Sequence, residues 1–425
     1  TPLEPTGRLV SFVFMLGCAW PVLLISRRLK LHSSVPWVFC ALFWTSPIYL
    51  FWGRAFMIET TALFFTLMSI PYALDLIESK KIVRATVLFA LFASLAVLQK
   101  VTTGIPVVMC MACLWLIKRV IEWNSKTRPI TEKNRWFVLL LSFFAFCFPI
   151  VVAWYWTTYS DAVKSQNLFG AQLTSSVLKN WNFGTLSQKF SIDTYKTVLW
   201  KRCIAPNAGG LLGVCILIVP FFVRNAKSIK LFVLTALALF LLPVLIFTNL
   251  HWVHNYYQTS NMIFLTAALV FVIAEFLPGV FHTRAVSVFF TIILIFMNIT
   301  AFNKGYMPCV RMSIGAENNR DMAIGDFIKK NTAIDSAIAV FGADWSSEIT
   351  FYSQRKSITV PPWFSQYDAL WERPEKFVGD LKLSAIVICP SAKPTVKDAQ
   401  DRLKKESGWR LEQIGEACVL LKEQQ

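Results

Sequence analysis

The chain has 425 residues, of which 55% are hydrophobic and only 16% charged, and its mean hydropathy is +0.52. Soluble domains carry about 25% charged residues, so the composition excludes an ordinary soluble protein and indicates a polytopic membrane protein. The net charge of +17 is concentrated in residues 1–302, whose balance is +16, against +1 for residues 303–425. Basic loops between membrane spans explain such an excess, and no nucleic-acid partner is expected.

Apolar runs long enough to cross a bilayer recur throughout residues 1–302. A transmembrane helix needs about 20 apolar residues. The sequence predicts about ten transmembrane helices, near 9–26, 35–52, 58–77, 83–99, 104–120, 136–156, 209–223, 230–249, 259–277 and 285–302. These spans form the first predicted domain, residues 1–302.

Alternate loops between these spans differ in charge. One set holds 16 Lys and Arg residues, at 27–30, 80–84, 118–135, 224–230 and 284. The positive-inside rule places this set in the cytoplasm. The remaining loops, together with residues 303–425, are therefore predicted to be extracytoplasmic.

Residues 303–425 form the second predicted domain. Helices are predicted at 321–330, 346–352, 374–381 and 396–406, and they alternate with strands at 337–341, 357–360, 385–389 and 418–421. This alternation predicts a small α/β sheet domain. Asp344, Trp345 and Glu348 are its most site-like residues, although a helix cap beside a packed Trp explains them equally well.

Polar residues crowd at four places on the predicted extracytoplasmic side. These places are the junction 52–59, the end of the span before residue 101, the loop 157–208 and the link 249–257. The residues that stand out there are Arg54, Glu59, Lys100, Lys201, Arg202, His251, His254, Tyr256 and Tyr257. Ionisable groups at a membrane boundary cost free energy unless they are paired, hydrated or used, so this clustering marks a candidate site.

The chemistry of these residues suits a lipid-linked phosphosugar, which presents its phosphate at the membrane surface. Arg binds phosphate bidentately and Lys binds it as a point charge, and Tyr and His can complete such a shell. The predicted donor-phosphate ligands are Arg54, Lys100, Lys201, Arg202, His254, Tyr256 and Tyr257. A carboxylate can act as a general base on an acceptor hydroxyl or amine, and Glu59 is the predicted catalytic residue.

Polar residues at span ends can also have purely structural roles. Tyr, Trp, Lys and Arg are ordinary interfacial anchors there, and Arg54 with Glu59 can form a structural ion pair. His251 and His254 are spaced i, i+3, so on a helix they could hold a divalent metal ion together with a carboxylate. No further cofactor is indicated.

A transporter or flippase of lipid-linked substrates is the alternative function. It requires ionisable groups or broken helices near the middle of the bilayer. Asp75 and Glu275 are the deepest acids, and both lie near predicted cytoplasmic span ends. An assembly protein whose C-terminal domain recruits a partner is a further alternative.

Several short motifs, in this order, resemble those of bacterial membrane glycosyltransferases of the GT-C class. They are Ser46-Pro47, Gly53-Arg54-x4-Glu59, the run 95–100 with Gly104, His254-Asn255-Tyr256-Tyr257, and Phe341-Gly342-Ala343-Asp344-Trp345. Similar families are the aminoarabinose transferases of lipid A, the core-sugar transferases of rhizobial lipopolysaccharide and the protein O-mannosyltransferases. The resemblance implies an enzyme of the bacterial inner membrane with its C-terminal domain in the periplasm. It would transfer a sugar, with inversion, from a polyprenyl-phosphate donor to a lipid, glycan or protein acceptor.

The resemblance also assigns places to individual residues. It matches Glu59 to an acidic site residue that follows an Arg, Lys100 to a site lysine, and His254, Tyr256 and Tyr257 to the His/Tyr-Tyr link. The principal aspartate of the family lies in a first extracytoplasmic loop, where Glu4 is the only acid of this chain. Because residues 1–8 read as a polar loop end without an initiating Met, we expect the sequence to lack an N-terminal segment or the product to be inactive.

Overall fold

The structure, a computed structural model, describes residues 3–124, 132–224, 226–312, 319–344, 346–364, 369–370, 375–392, 397–398, 401 and 409–422. The chain divides into two compact units. The first comprises Thr1–Ser160 and Ser175–Met307, and the second comprises Asp161–Thr174 and Pro308–Gln425. Relative to a division at 302/303, the segment Asp161–Thr174 belongs with the C-terminal unit.

All described regular elements between residues 3 and 312 are helices. In chain order they are α1 (Leu3–Gly17), α2 (Ala19–Arg28), α3 (Val35–Thr45), α4 (Pro47–Trp52), α5 (Glu59–Ile77), α6 (Ile82–Gln99), α7 (Val101–Asn124), α8 (Glu132–Lys164), α9 (Leu168–Ala171), α10 (Lys179–Phe183), α11 (Leu186–Phe190), α12 (Ile192–Tyr195), the π-helical segment Lys196–Ile204, α13 (Ala205–Asn207), α14 (Gly210–Phe222), α15 (Lys227–Ile246), α16 (Thr248–Val253), the 3-10 turn Asn255–Gln258, α17 (Thr259–Phe271), the π-helical segment Val272–Phe276, α18 (Leu277–Phe281), α19 (Ala285–Gly305) and α20 (Met307–Met312). The last residues of α8, all of α9 and most of α20 belong to the second unit.

The membrane spans follow the hydropathy pattern closely. Within the described residues, eight helical stretches are long and apolar enough to cross a membrane: Pro5–Arg28, Glu59–Ile77, Ile82–Gln99, Val101–Asn124, Arg135–Lys164, Lys227–Ile246, Asn255–Phe281 and Ala285–Gly305. A helix pair, Ile192–Asn207 with Gly210–Phe222, is also apolar enough but bends by 92° at its break, so it forms either a broken ninth span or a re-entrant loop. The protein is a polytopic α-helical membrane protein.

The predicted span 35–52 is interrupted at Ser46. Pro47 lacks an N–H and disfavours helical geometry in the residue before it, and Ser46 accordingly has an extended backbone with ψ of 127°. The result is the short apolar helix α3 followed by the separate helix α4. This break redirects the chain towards the candidate site.

The first helix begins at Leu3, so the described residues before Leu9 are helical rather than the polar loop that the sequence suggested. Pro5 is tolerated because the N–H groups of a first helical turn have no partner within the helix. The Ser11 hydroxyl donates to the Met57 carbonyl at 2.9 Å. This bond fastens α1 to the junction before Glu59.

The second unit contains a five-stranded sheet. Its strands are β1 (Ala337–Phe341), β2 (Lys356–Val360), β3 (Leu383–Ile388), β4 (Trp409–Ile414) and β5 (Ala417–Lys422), in the order β2-β1-β3-β5-β4. The first three are parallel, whereas β5 pairs antiparallel with both β3 and β4. Helices α21 (Arg320–Asn331), α22 (Glu348–Ser353) and α23 (Glu375–Val378) complete the α/β layer.

One strand of this sheet is absent from the sequence prediction. Strand β4 carries Arg410 and Glu412 and is only partly buried, so its pattern is weakly apolar. The signal that could have revealed it is Gly415, whose φ of +60° suits a two-residue hairpin turn. The predicted helix 396–406 lies mostly outside the described residues. Trp345 also lies outside them.

Candidate active site

A buried asparagine positions the helix that leads into the site. The Asn207 side-chain oxygen accepts hydrogen bonds from the Ser46 hydroxyl at 2.8 Å and the Ile48 N–H at 2.9 Å. Its amide group donates to the carbonyls of Arg202 at 2.9 Å and Cys203 at 3.3 Å. The amide thereby satisfies backbone groups exposed by two helix irregularities, the break at Ser46 and the π-helical segment.

The junction after α4 requires a glycine at residue 53. A Cβ atom there would collide with the Met15 sulfur and the Tyr49 carbonyl. The close approach brings the chain past α1 before α5 starts at Glu59. Glu59 is 5% exposed, so the first residue of α5 carries a buried carboxylate.

Lys100 is the ionic partner of this carboxylate. It lies at the extended residue between α6 and α7, and its Nζ is 2.5 Å from Glu59 Oε1. Burial lowers the pKa of the Lys100 ammonium, and the nearby Glu59 carboxylate opposes that shift. The second oxygen, Glu59 Oε2, is buried and has no hydrogen-bond partner among the described residues.

Three aromatic rings lie beside this ion pair. The Lys100 Nζ is 3.8 Å from the centroid of the Tyr257 ring and 5.1 Å from that of Tyr256, distances typical of cation–π contacts. The two Tyr rings stack at 5.0 Å, and His254 stacks on Tyr256 at 5.1 Å. The 3-10 turn Asn255–Gln258 carries both Tyr rings, and His254 precedes it directly.

His251 contacts the Tyr257 ring edge-on, with 5.9 Å between the ring centroids, and is 1% exposed. Its carbonyl accepts from Arg202 Nη1 at 2.9 Å and from Gln258 Nε2 at 2.7 Å. Burial, followed by the positive charges of Lys100 and Arg202, lowers the pKa of His251 to about 3. The imidazole is therefore neutral at physiological pH, and its Nδ1 has no hydrogen-bond partner in the described parts of the chain.

The two histidines of the predicted metal pair lie on different backbone elements. Helix α16 ends at Val253, and His254 follows it with an extended backbone, so the two histidines do not share one helix. Across the described residues, no group of three or more His, Cys, Asp and Glu side chains is arranged to hold a metal ion. The divalent-metal hypothesis for His251 and His254 stays a prediction.

Two predicted phosphate ligands lie apart from these contacts. Arg54 and Lys201 are exposed, and neither forms a hydrogen bond or ion pair with a described residue. The proposed Arg54–Glu59 ion pair is not formed, since Glu59 pairs with Lys100. Arg54 and Lys201 stay predictions for contact with a ligand.

Sequence reasoning missed several polar groups around the ion pair. The hydroxyls of Thr60, Thr102 and Thr103 and the Trp52 indole N–H are buried without a partner among the described residues. Trp52 also contacts the Tyr256 ring edge-on at 5.6 Å. Buried polar groups are nearly always hydrogen-bonded, so such a concentration marks a place for a polar ligand or water. The available signal was that Thr60, Thr102 and Thr103 lie within three residues of Glu59 or Lys100 in sequence.

The two deepest acids lie at the opposite end of the helical bundle. Asp75 forms a 2.9 Å ion pair with Arg28, and Glu275 accepts the His32 backbone N–H at 2.9 Å. Both carboxylates therefore serve contacts between helices. They do not supply the unpaired mid-bilayer charge that a transport pathway would use.

Comparison with known proteins identifies the fold. No family model matches the chain, and no curated protein matches it. A crystal structure of ArnT from Cupriavidus metallidurans bound to undecaprenyl phosphate superposes with a TM-score of 0.56 at 9% sequence identity, covering 98% of this chain and 83% of ArnT. The chain has the fold of ArnT.

A second similar structure is the arabinofuranosyltransferase AftD from Mycobacteria. Its TM-score is 0.47 at 11% identity, and it covers 99% of this chain, which spans 34% of AftD. The ArnT superposition confirms, as a likeness of fold, the resemblance that the sequence motifs suggested.

Proposed function

We propose that the protein is a membrane glycosyltransferase that takes its sugar from a polyprenyl-phosphate donor. The observation that carries the proposal is the buried Glu59–Lys100 pair with its free carboxylate oxygen, set beside the rings of Tyr256 and Tyr257. The ArnT fold supports it, since that structure contains undecaprenyl phosphate. The acceptor class, a lipid, glycan or protein, belongs to the same proposal.

The cations of the site suit the donor phosphate. Lys100 is held by Glu59, but an ammonium has three donors and can still donate to a phosphate oxygen. Arg202 donates one Nη1 hydrogen bond to the His251 carbonyl, and its other N–H groups can donate to a phosphate oxygen. The exposed Arg54 and Lys201 would meet the phosphate or neighbouring lipid head groups from the aqueous side.

The transfer step is a displacement at the anomeric carbon. The acceptor oxygen or nitrogen forms a bond to that carbon while the bond from carbon to the phosphate oxygen breaks, which inverts the configuration. The electron pair leaves with the polyprenyl phosphate, whose charge the cations stabilise. The acceptor loses one proton, and Glu59 Oε2 can accept a hydrogen bond from the acceptor or take that proton.

The test uses purified protein in lipid nanodiscs with a panel of undecaprenyl-phosphate-linked sugars and extracted envelope acceptors. Release of undecaprenyl phosphate is the readout. Glu59→Gln is expected to lower the rate by about 100-fold or more while undecaprenyl phosphate still binds. Glu78→Gln, a carboxylate at the opposite end of α5, is the matched control and is expected to retain the wild-type rate.

Full activity of Glu59→Gln would remove this carboxylate from the mechanism. Lys100→Ala and Arg202→Ala are expected to raise the KM for the donor more than that for the acceptor. An unchanged donor KM in both variants would contradict their role at the phosphate. Failure of the wild-type protein to bind undecaprenyl phosphate would overturn the proposed function as a whole.

A further inference from the structure

An apolar cavity lies inside the bundle, towards the end opposite Glu59. Its volume is 570 Å³, within the range of about 300–1,000 Å³ typical of ligand pockets. Helices α2, α3, α5, α7, α15 and α17 line it. Lys118 is the one charged side chain among its described lining residues. A large cavity with so few polar groups is unfavourable for water and suits hydrocarbon.

The cavity opens sideways rather than towards the candidate site. Its lining residues Ile117, Ile121 and Leu231 are 56%, 63% and 63% exposed, which puts its mouth beside α7 and α15 on the outer surface of the bundle. At its back, Leu67 and Ile263 are buried. In a membrane, that mouth faces lipid.

Packed side chains separate the cavity from the Glu59–Lys100 pair. Leu63, Thr66 and Met262 are at most 1% exposed, and none of them lines the cavity. Lys118 lies 18 residues after Lys100, or about 27 Å along α7, nearly the thickness of the hydrocarbon core of about 30 Å. A lipid whose phosphate lies at Lys118 is therefore a different molecule from a donor at Lys100.

The dimensions match one lipid chain. Along α5 the lining extends from Leu67 to Ile77, about 15 Å at 1.5 Å per residue. This is about half of the hydrocarbon core, the depth reached by an acyl chain of a single leaflet. Ser26 and Ser228 line the end of the cavity nearest Lys118 and add hydroxyl groups there.

The charge at this end selects the head group. Lys118 Nζ is 3.9 Å from Glu122, but Glu122 forms a closer ion pair with Arg119 at 2.8 Å, which leaves the Lys118 ammonium weakly neutralised. The loops of this end hold most of the basic residues of the membrane unit, and basic pockets between transmembrane helices bind anionic lipid head groups. We infer that the cavity binds one acyl chain of an anionic phospholipid, whose phosphate contacts Lys118.

The experiment measures lipid binding by native mass spectrometry of detergent-purified, delipidated protein. The probes are phosphatidylglycerol and phosphatidylcholine with the same 16:0/18:1 chains, and undecaprenyl phosphate. Ala236→Phe and the milder Ala267→Leu fill the cavity, Lys118→Gln removes its charge, and Lys81→Gln is the control at an exposed lysine of the same end.

Both filling variants are expected to weaken phosphatidylglycerol binding by about tenfold and to leave undecaprenyl phosphate binding unchanged. Lys118→Gln is expected to weaken phosphatidylglycerol binding by about fivefold without affecting phosphatidylcholine, and Lys81→Gln to behave as wild type. Unchanged phosphatidylglycerol binding in folded Ala267→Leu overturns the inference. Selective loss of undecaprenyl phosphate also overturns it, because the cavity would then hold the polyprenyl chain.

Discussion

The Glu59–Lys100 pair can be tested by a double-mutant cycle on stability. Lys100 Nζ and Glu59 Oε1 are 2.5 Å apart, and the side chains of Glu59 and Lys100 are 5% and 11% exposed. At an effective dielectric constant of about 20, the gross electrostatic attraction between the two charges is about 7 kcal/mol. Desolvation offsets much of this attraction, but removing one partner of a buried pair costs about 3–5 kcal/mol. We expect Lys100→Met to destabilise by about that amount because the carboxylate loses its counter-ion.

The double variant Glu59→Gln/Lys100→Met removes both charges. It is expected to be more stable than Lys100→Met alone, with a coupling energy of about 2 kcal/mol or more, although it should bind undecaprenyl phosphate more weakly than the wild type. Unfolding in mixed micelles of dodecyl maltoside and SDS measures the four free energies. Additivity within about 0.5 kcal/mol would refute the claim that these charges interact in the folded protein.

The remaining predictions concern the residues that hold the site. The pKa of His251 is about 3 in the folded protein and about 6.5 in the unfolded chain, so the unfolded chain binds more protons between these two pH values. The free energy of unfolding therefore falls as the pH decreases from 6.5 towards 3, by up to about 1.4 kcal/mol per pH unit. His251→Gln should remove this component of the pH dependence when thermal stability is measured from pH 7 to pH 4.5. Tyr257→Leu should lose about 1–2 kcal/mol of stability because Lys100 loses its cation–π contact. Tyr257→Phe keeps the ring and should stay nearly as stable as the wild type. Equal melting temperatures of the two variants would exclude the contact. Asn207→Ala should destabilise by about 2–3 kcal/mol because it strands buried backbone groups, and Asn207→Asp, which keeps the acceptor for Ser46, should unfold at a temperature between those of Asn207→Ala and wild type.

The fold was largely predictable because membrane insertion imposes a local rule. Each span must satisfy its own backbone and present about 20 apolar residues, and both conditions are visible in a window of sequence. The span 35–52 is the informative exception, since it breaks at Ser46 even though its hydropathy is continuous. The Pro47 signal was present, but hydropathy alone does not register it.

The site was only partly predictable. Glu59, Lys100 and the rings of Tyr256 and Tyr257 were singled out as polar groups near one membrane face, and the structure brings them into contact. The pairing itself was not foreseen, because Arg54 is the nearer cation in sequence. Which cation reaches a carboxylate depends on the path of the chain between α4 and α5, which no short motif specifies.

The sequence by itself determined the membrane class and the positions of most of the spans, because hydrophobic transfer acts on each segment separately. Only the tertiary structure decided that Lys100, 41 residues away, neutralises Glu59 while Glu59 Oε2 has no hydrogen-bond partner among the described residues. It also decided that Asp161–Thr174 belongs with the C-terminal unit. These outcomes depend on long-range packing, in which desolvation and geometry together select one partner from several of equal charge.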